Sequence, residues 1–222
     1  MGRQVRDARP DWFIGSPRHT ADDAVVMPAG MDGVASYRIP AIVGPFPPHS
    51  AAVLVFAEAR EASSSDSGKH ALAMRRSSDG GKNGTWEPTL FLYNDTDPAK
   101  DGLNLGAAVY DNATRTVFVL FNECADKFGK APCGPTAELL LKSSADFGST
   151  WSPVTSLTSV MVAAGYAMLN PGPGTGIQLA ITGRLVVPAW GPQLGERDYT
   201  AVALLSDDHG RTWRVSKVRE PN

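Results

Sequence analysis

The sequence has no surplus of charge in either direction. Lysine and arginine number 21, aspartate and glutamate 23, and the formal net charge is −2. A protein that holds nucleic acid or an anionic membrane surface needs a basic excess, so neither is expected as a partner. Apolar runs of roughly 18 residues, the length a transmembrane helix requires, are missing. The opening stretch M-G-R-Q-V-R-D-A-R-P-D-W-F is basic but carries no apolar core of the signal-peptide kind, and Arg6 lacks the hydroxyl that a myristoylation motif beginning at Gly2 would need. No amphipathic pattern reaches the length of a ten-residue helix. Cysteine is scarce: Cys124 and Cys133 lie nine residues apart. A local disulfide and two free thiols fit that spacing equally, and two cysteines do not fix a compartment. Cytoplasm, lysosome and exterior all stay open.

What the chain does have is turn formers and short apolar runs. Glycine (22) and proline (17) are spread along its 222 residues, and 42% of residues are hydrophobic, enough for a sizeable core. Residues 51–60 (A-A-V-L-V-F-A-E-A-R), 116–123 (T-V-F-V-L-F-N-E), 176–180 (G-I-Q-L-A) and 184–190 (R-L-V-V-P-A-W) read as strands bounded by turns. The expected class is all-β, with a lead-in over residues 1–24 and one body over 25–222. Three N-x-[ST] triplets begin at Asn83, Asn94 and Asn112, a weak pointer to a secretory route.

One octet recurs. It reads S-A-D-F-G-S-T-W at 144–151 and S-D-D-H-G-R-T-W at 206–213, with a copy stretched by two residues, S-S-D-G-G-K-N-G-T-W, at 77–86. Each copy follows a strand-like run. Asp79, Asp146 and Asp208 suit the start of a turn, where a short polar side chain takes backbone N–H bonds. Gly81, Gly148 and Gly210 suit a left-handed backbone. Trp86, Trp151 and Trp213 are expected to pack under the next strand and staple the hairpin. A group that does chemistry is needed once and a turn in every unit, so the repeated aspartates read as structural. Their spacing lacks the alternating oxygen ligands of a calcium loop, and no metal is expected. Repeats of some 60 residues with several strands apiece suggest propeller blades.

Two stretches carry unusual charge. In S-Y-R-I-P (36–40) a permanent cation, Arg38, precedes an apolar strand whose backbone Pro40 stiffens; on its own it reads as a surface ion pair. In F-A-E-A-R-E-A-S-S-S-D (56–66), Glu58 and Arg60 are two apart, hence on one strand face, and Asp66 lies in a Ser/Gly-rich loop. An arginine beside an apolar run calls for an anion.

Y-R-I-P, F-A-E-A-R, S-S-S-D, the three Asp boxes and G-P-G-T-G-I-Q-L (172–179) stand in the order found in sialidases (neuraminidases), which the chain resembles from about residue 30 to its end. The resemblance implies a six-bladed β-propeller, of which this chain holds about the first half, roughly three blades. It implies an exo-α-sialidase, a retaining glycosidase that releases terminal sialic acid from glycoproteins, gangliosides or oligosaccharides without a metal or organic cofactor. Arg38 matches one of three arginines that clamp the substrate carboxylate, a task for a planar guanidinium. Asp66 matches the general acid/base, Arg60 lines the pocket, Glu58 orients the arginines, and Asn104 faces the N-acetyl and O4 side of the sugar. Leu105 stands where relatives often carry proline. Tyr166 and Gln178 touch the sugar or pack, packing being the expectation. The family's tyrosine nucleophile, its activating glutamate and two further arginines find no match here. An N-terminal fragment inactive alone, a ring closed by a second chain and a non-catalytic lectin-like propeller are the readings that follow; half a ring would expose edges and apolar faces.

Overall fold

The computed structural model describes residues 25–66, 68–94, 103–123, 137–196 and 198–216, with no account of the side chains of 103–105. The lead-in, both cysteines and the linkers between these spans lie outside the described residues. Within them the chain is almost wholly β, in three antiparallel meanders. The first runs β1 (Ser36–Val43), β2 (Val53–Arg60), β3 (His70–Ser77), β4 (Leu90–Asn94). The second runs β5 (Leu103–Asp111), β6 (Thr116–Glu123), β7 (Glu138–Ser144), β8 (Thr155–Ser156). A six-residue helix, α1 (Thr158–Ala163), follows and is the longest helix among the described residues. The third sheet pairs β11 (Ile177–Gln178), β12 (Leu185–Pro192), β13 (Tyr199–Ser206) and β14 (Arg214–Val215).

The first strand of the third sheet is broken. Where the sequence suggests a five-residue strand at 176–180, only Ile177–Gln178 pairs. Ahead of it, β9 (Asn170–Pro171) pairs with β12, and β10 (Gly174–Thr175) crosses to lie parallel to β5. Pro171 and Pro173 supply no N–H to a ladder, which favours short pieces. Gly172 sits at φ +84°, where a Cβ would fall 2.2 Å from the Gly106 carbonyl oxygen, so the backbones of β9 and β5 approach too closely for any other residue.

Strand β6 shows how the core is built. Its period of two sends Val117, Val119 and Phe121 to one side and Phe118 and Leu120 to the other. The odd set meets Leu54, Phe56, Leu72 and Met74 of the first sheet. The even set meets Leu185, Val187, Leu204 and Trp213 of the third. A strand buried on both faces reads as an unbroken apolar run, and each such side chain contributes about 1.5–3 kcal/mol.

The octets close the hairpins after β3, β7 and β13 as expected. Ser77, Ser144 and Ser206 each accept the N–H of the octet glycine on Oγ, at 3.0, 2.8 and 2.8 Å, and donate to the octet aspartate at 2.9, 2.8 and 3.0 Å. Asp146 and Asp208 take the N–H and hydroxyl of Thr150 and Thr212. The three glycines have φ of +83° to +86°, and the residues before two of them, Phe147 and His209, are left-handed as well. Trp86 stays on its own hairpin, bridging to Ser77, but Trp151 and Trp213 correct the sequence reading: they reach back to the preceding sheet. Trp151 meets Phe56 of β2 edge-on at 5.8 Å, and Trp213 meets Phe118 of β6 at 6.0 Å. The second and third octets join sheet to sheet.

Candidate active site

Arg38 owes its position to an irregularity. The β1–β2 register holds from Ser36 to Arg38, then slips before Ala41. At the slip Ile39 takes φ +52°, a strained setting for a β-branched side chain, and Pro40 offers no N–H. The resulting bulge re-aims the side chain beside it.

On β2 the alternation Leu54, Phe56, Glu58, Arg60 carries one face from the core to the strand end. Glu58 and Arg60 are 1% and 2% exposed. Such burial is tolerable only for a paired ion, and Glu58 Oε2 accepts from both Nε (3.0 Å) and Nη2 (2.6 Å) of Arg60. The third nitrogen, Nη1, donates to the carbonyls of Ser64 (2.7 Å) and Ser65 (2.8 Å) and to Asp66 Oδ1 (2.7 Å). Arg38 Nη1 donates to the same Ser64 carbonyl (2.9 Å) and the same Asp66 oxygen (3.0 Å). The loop after β2 is thus drawn around two guanidinium groups that share one carboxylate. Arg38 and Asp66 stay open to solvent, at 41% and 57%.

The hydrogen bond from Arg60 holds the Asp66 carboxyl below the usual aspartate range. Partial burial opposes it, and the charges of Arg60, Arg38 and His70 reinforce it. The sequence reading missed His70: it pairs directly across from Arg60 and is buried at the start of β3. It missed as well the buried Glu123 at the end of β6, which accepts from the Tyr93 hydroxyl at 2.6 Å across the first interface. Strand register, unknown from the sequence, is what brings both there.

Other expected residues do not join this cluster. Asn104 lies on β5 with its backbone opposite Asn122; its side chain lies outside the description. Tyr166 is buried in the core between the second and third sheets. Gln178 works at the other end of β5: it donates to the fully buried Asp111 (2.5 Å) and accepts the Asn112 N–H (2.9 Å). Asp111 also accepts from Ala113 N–H and Thr114 and meets His209 Nδ1 at 2.9 Å. Both Tyr166 and Gln178 therefore pack. Among the described residues no group of three or more His, Cys, Asp or Glu is placed to hold a metal. A cleft of about 450 Å³ beside the same strand ends is lined by Asp32, Glu61, Lys69 and His70 among others. No arginine lines it.

Residues 52–222 match the profile of a family described as BNR repeat-like domain. The chain is 31% identical over 217 residues to Sialidase-4 of Homo sapiens, covering 90% of this chain and 43% of that protein. It is 28% identical to a sialidase of Micromonospora viridifaciens, covering 92% of this chain and 32% of that one. Among solved structures, a Hadza microbial sialidase superposes with a TM-score of 0.72 at 28% identity over 84% of this chain and 38% of that one. A Trypanosoma rangeli sialidase superposes at 0.68, over 84% and 31%; at 21% identity it speaks for the fold alone. The chain spans less than half the length of each of these relatives.

Proposed function

The chain belongs to the BNR repeat-like domain family, and from that membership we propose that it is the sialic-acid-recognising part of an exo-α-sialidase. On this reading the three sheets are three blades of a six-bladed propeller, and the substrates are terminal sialic acids of glycoproteins, gangliosides or oligosaccharides.

The observation that carries the reading is the meeting of Arg38 and Arg60 on one carboxylate at a solvent-open strand end. The two arginines differ in task. Arg60 is spent on Glu58 and the loop, and holds the frame. Among the described residues Arg38 makes contacts only through Nη1, which leaves Nη2 and Nε for an incoming carboxylate. A guanidinium grips a carboxylate bidentately, and sialic acid carries one at its anomeric carbon. On this reading the glycosidic oxygen comes next to Asp66, which accepts from Arg38 Nη1. As general acid, Asp66 gives its proton to the leaving oxygen; as general base, it takes one from water in the second half of a retaining reaction. Carboxylate recognition and proton transfer are the parts of the chemistry to which these residues answer.

The test is a titration of the 222-residue chain with the methyl α-glycoside of N-acetylneuraminic acid, followed by NMR. Saturable binding, lost in Arg38→Ala and missing for the corresponding galactoside, is the expected result. No binding, or binding indifferent to Arg38, would overturn the reading.

A further inference from the structure

Asp66 poses a problem. A general acid must hold a proton when its substrate arrives, yet the bond from Arg60 and the surrounding cations keep this carboxyl ionised in the free protein. The same contacts indicate what weakens this hold. Oδ1 accepts from Nη1 of both arginines, at 2.7 Å from Arg60 and 3.0 Å from Arg38. Arg60 is buried and locked to Glu58, whereas Arg38 is the exposed partner with nitrogens to spare. Arg38 is the one that can be exchanged.

We propose that Asp66 is the internal anion of Arg38 in the free protein, and that a substrate carboxylate arms Asp66 as an acid by competing with it for Arg38. This rests on the reading of Arg38 given above. Gripped end-on by Nη1 and Nη2, the substrate carboxylate takes Asp66's place. Gripped through Nε and Nη2, it puts a second negative charge on the same guanidinium. In the first case Asp66 loses the cation's field and gains a like charge nearby; in the second it keeps Arg38 but shares it with a like charge, and each change favours its neutral form. One proton passes from solvent to Asp66 as substrate binds, ready for the glycosidic oxygen. A neutral glycoside would leave Asp66 a carboxylate. The site would therefore read the charge of its substrate twice, once in affinity and once in loading its own acid, and Asp66 becomes a determinant of specificity as well as of proton transfer.

The groups around Asp66 bear on its titration. Arg38 comes from β1, Arg60 and its partner Glu58 from β2, and His70 from β3. On the loop itself Lys69 pairs with Glu61 at 3.2 Å. An imidazole ordinarily titrates near about pH 6.5, so the share of His70 must be separated from that of Asp66. Asp66→Asn does this, because the shares of His70 and the other neighbours remain when the Asp66 carboxyl is gone.

The experiment is calorimetric titration of the chain with methyl α-N-acetylneuraminide at about pH 7 and about pH 5, in buffers of differing ionisation heat. Asp66→Asn is expected to bind about two- to five-fold tighter than wild type at neutral pH, the worth of one exposed ion pair. Wild-type affinity is expected to rise as pH falls, with proton uptake, since binding raises the carboxyl's pKa; most of that slope should vanish in Asp66→Asn. Independently of any variant, the ¹³C shift of the Asp66 carboxyl should move toward its protonated value when the glycoside saturates the wild-type chain. Equal or weaker binding by Asp66→Asn, or a carboxyl shift that does not move, would sink the proposal while leaving Arg38 in its role. No binding by either protein, or full binding by Arg38→Ala, would remove the reading of Arg38 and the proposal with it.

Discussion

Gly210 faces the Phe118 ring so closely that a methyl group on its α-carbon would fall 2.2 Å from Cζ. Its φ of +83° is also one that only glycine adopts freely. Gly210→Ala therefore adds a left-handed alanine to a steric clash between sheets. It is expected to lower stability by about 2–4 kcal/mol. Gly80, at φ +85° with open space around it, supplies the control: Gly80→Ala should cost only about 1 kcal/mol. Urea unfolding of the two variants separates backbone strain from packing across the interface.

The Glu58–Arg60 pair is the most buried ion pair of the described residues, and removing one partner strands the other. Glu58→Ala is expected to cost about 3–5 kcal/mol, even though Arg60 keeps Asp66. Replacing both residues together, Glu58→Leu with Arg60→Met, should recover most of the loss, because an apolar pair of similar volume has no charge to desolvate. A double variant no more stable than Glu58→Ala in chemical denaturation would show that the pair's worth lies in contacts other than its charge.

Acid should loosen the hairpin turns. The Thr212 hydroxyl, then its N–H, bring Asp208 down to about 2. Asp79 is lowered through Thr85, and Asp146 is lowered by Thr150 and Ser144 against an opposing effect of burial. An unfolded aspartate titrates near about 3.9. The stabilisation is thus complete above about pH 4 and is lost as pH falls toward about 2. The urea midpoint should fall across that window, and less steeply in Asp208→Asn, which has no carboxyl to protonate. Identical slopes for the two proteins would show that this aspartate does not couple to folding.

The 222-residue chain by itself is expected to turn over a fluorogenic sialoside no faster than a buffer blank. On the proposed reading Arg38 is one clamp arginine where the resemblance calls for three, and these 222 residues offer no match to the tyrosine nucleophile. Little transition-state stabilisation is left to Arg38 and Asp66. Release of fluorophore above the blank, abolished in Asp66→Ala, would overturn this expectation.

The sequence by itself determined the turns and strand alternation. An octet whose serine, aspartate, glycine and threonine bond one another within eight residues folds by local chemistry, and is legible wherever it recurs. The two-sided alternation of 116–123 is equally local. Arg38, Glu58, Arg60 and Asp66 could be picked out as candidates because their types and spacings are unusual beside apolar runs. Only the tertiary structure decided what these groups do to one another. That Trp151 and Trp213 reach back to Phe56 and Phe118, that His70 stands opposite Arg60, that Gln178 serves the buried Asp111, and that Asp66 is shared between two arginines all depend on register and on sheet-against-sheet packing. Register sets which residues meet across a hairpin and its loop, sheet packing joins residues far apart in the chain, and the energies that fix them, burial and desolvated charge, exist only once the strands and sheets have met.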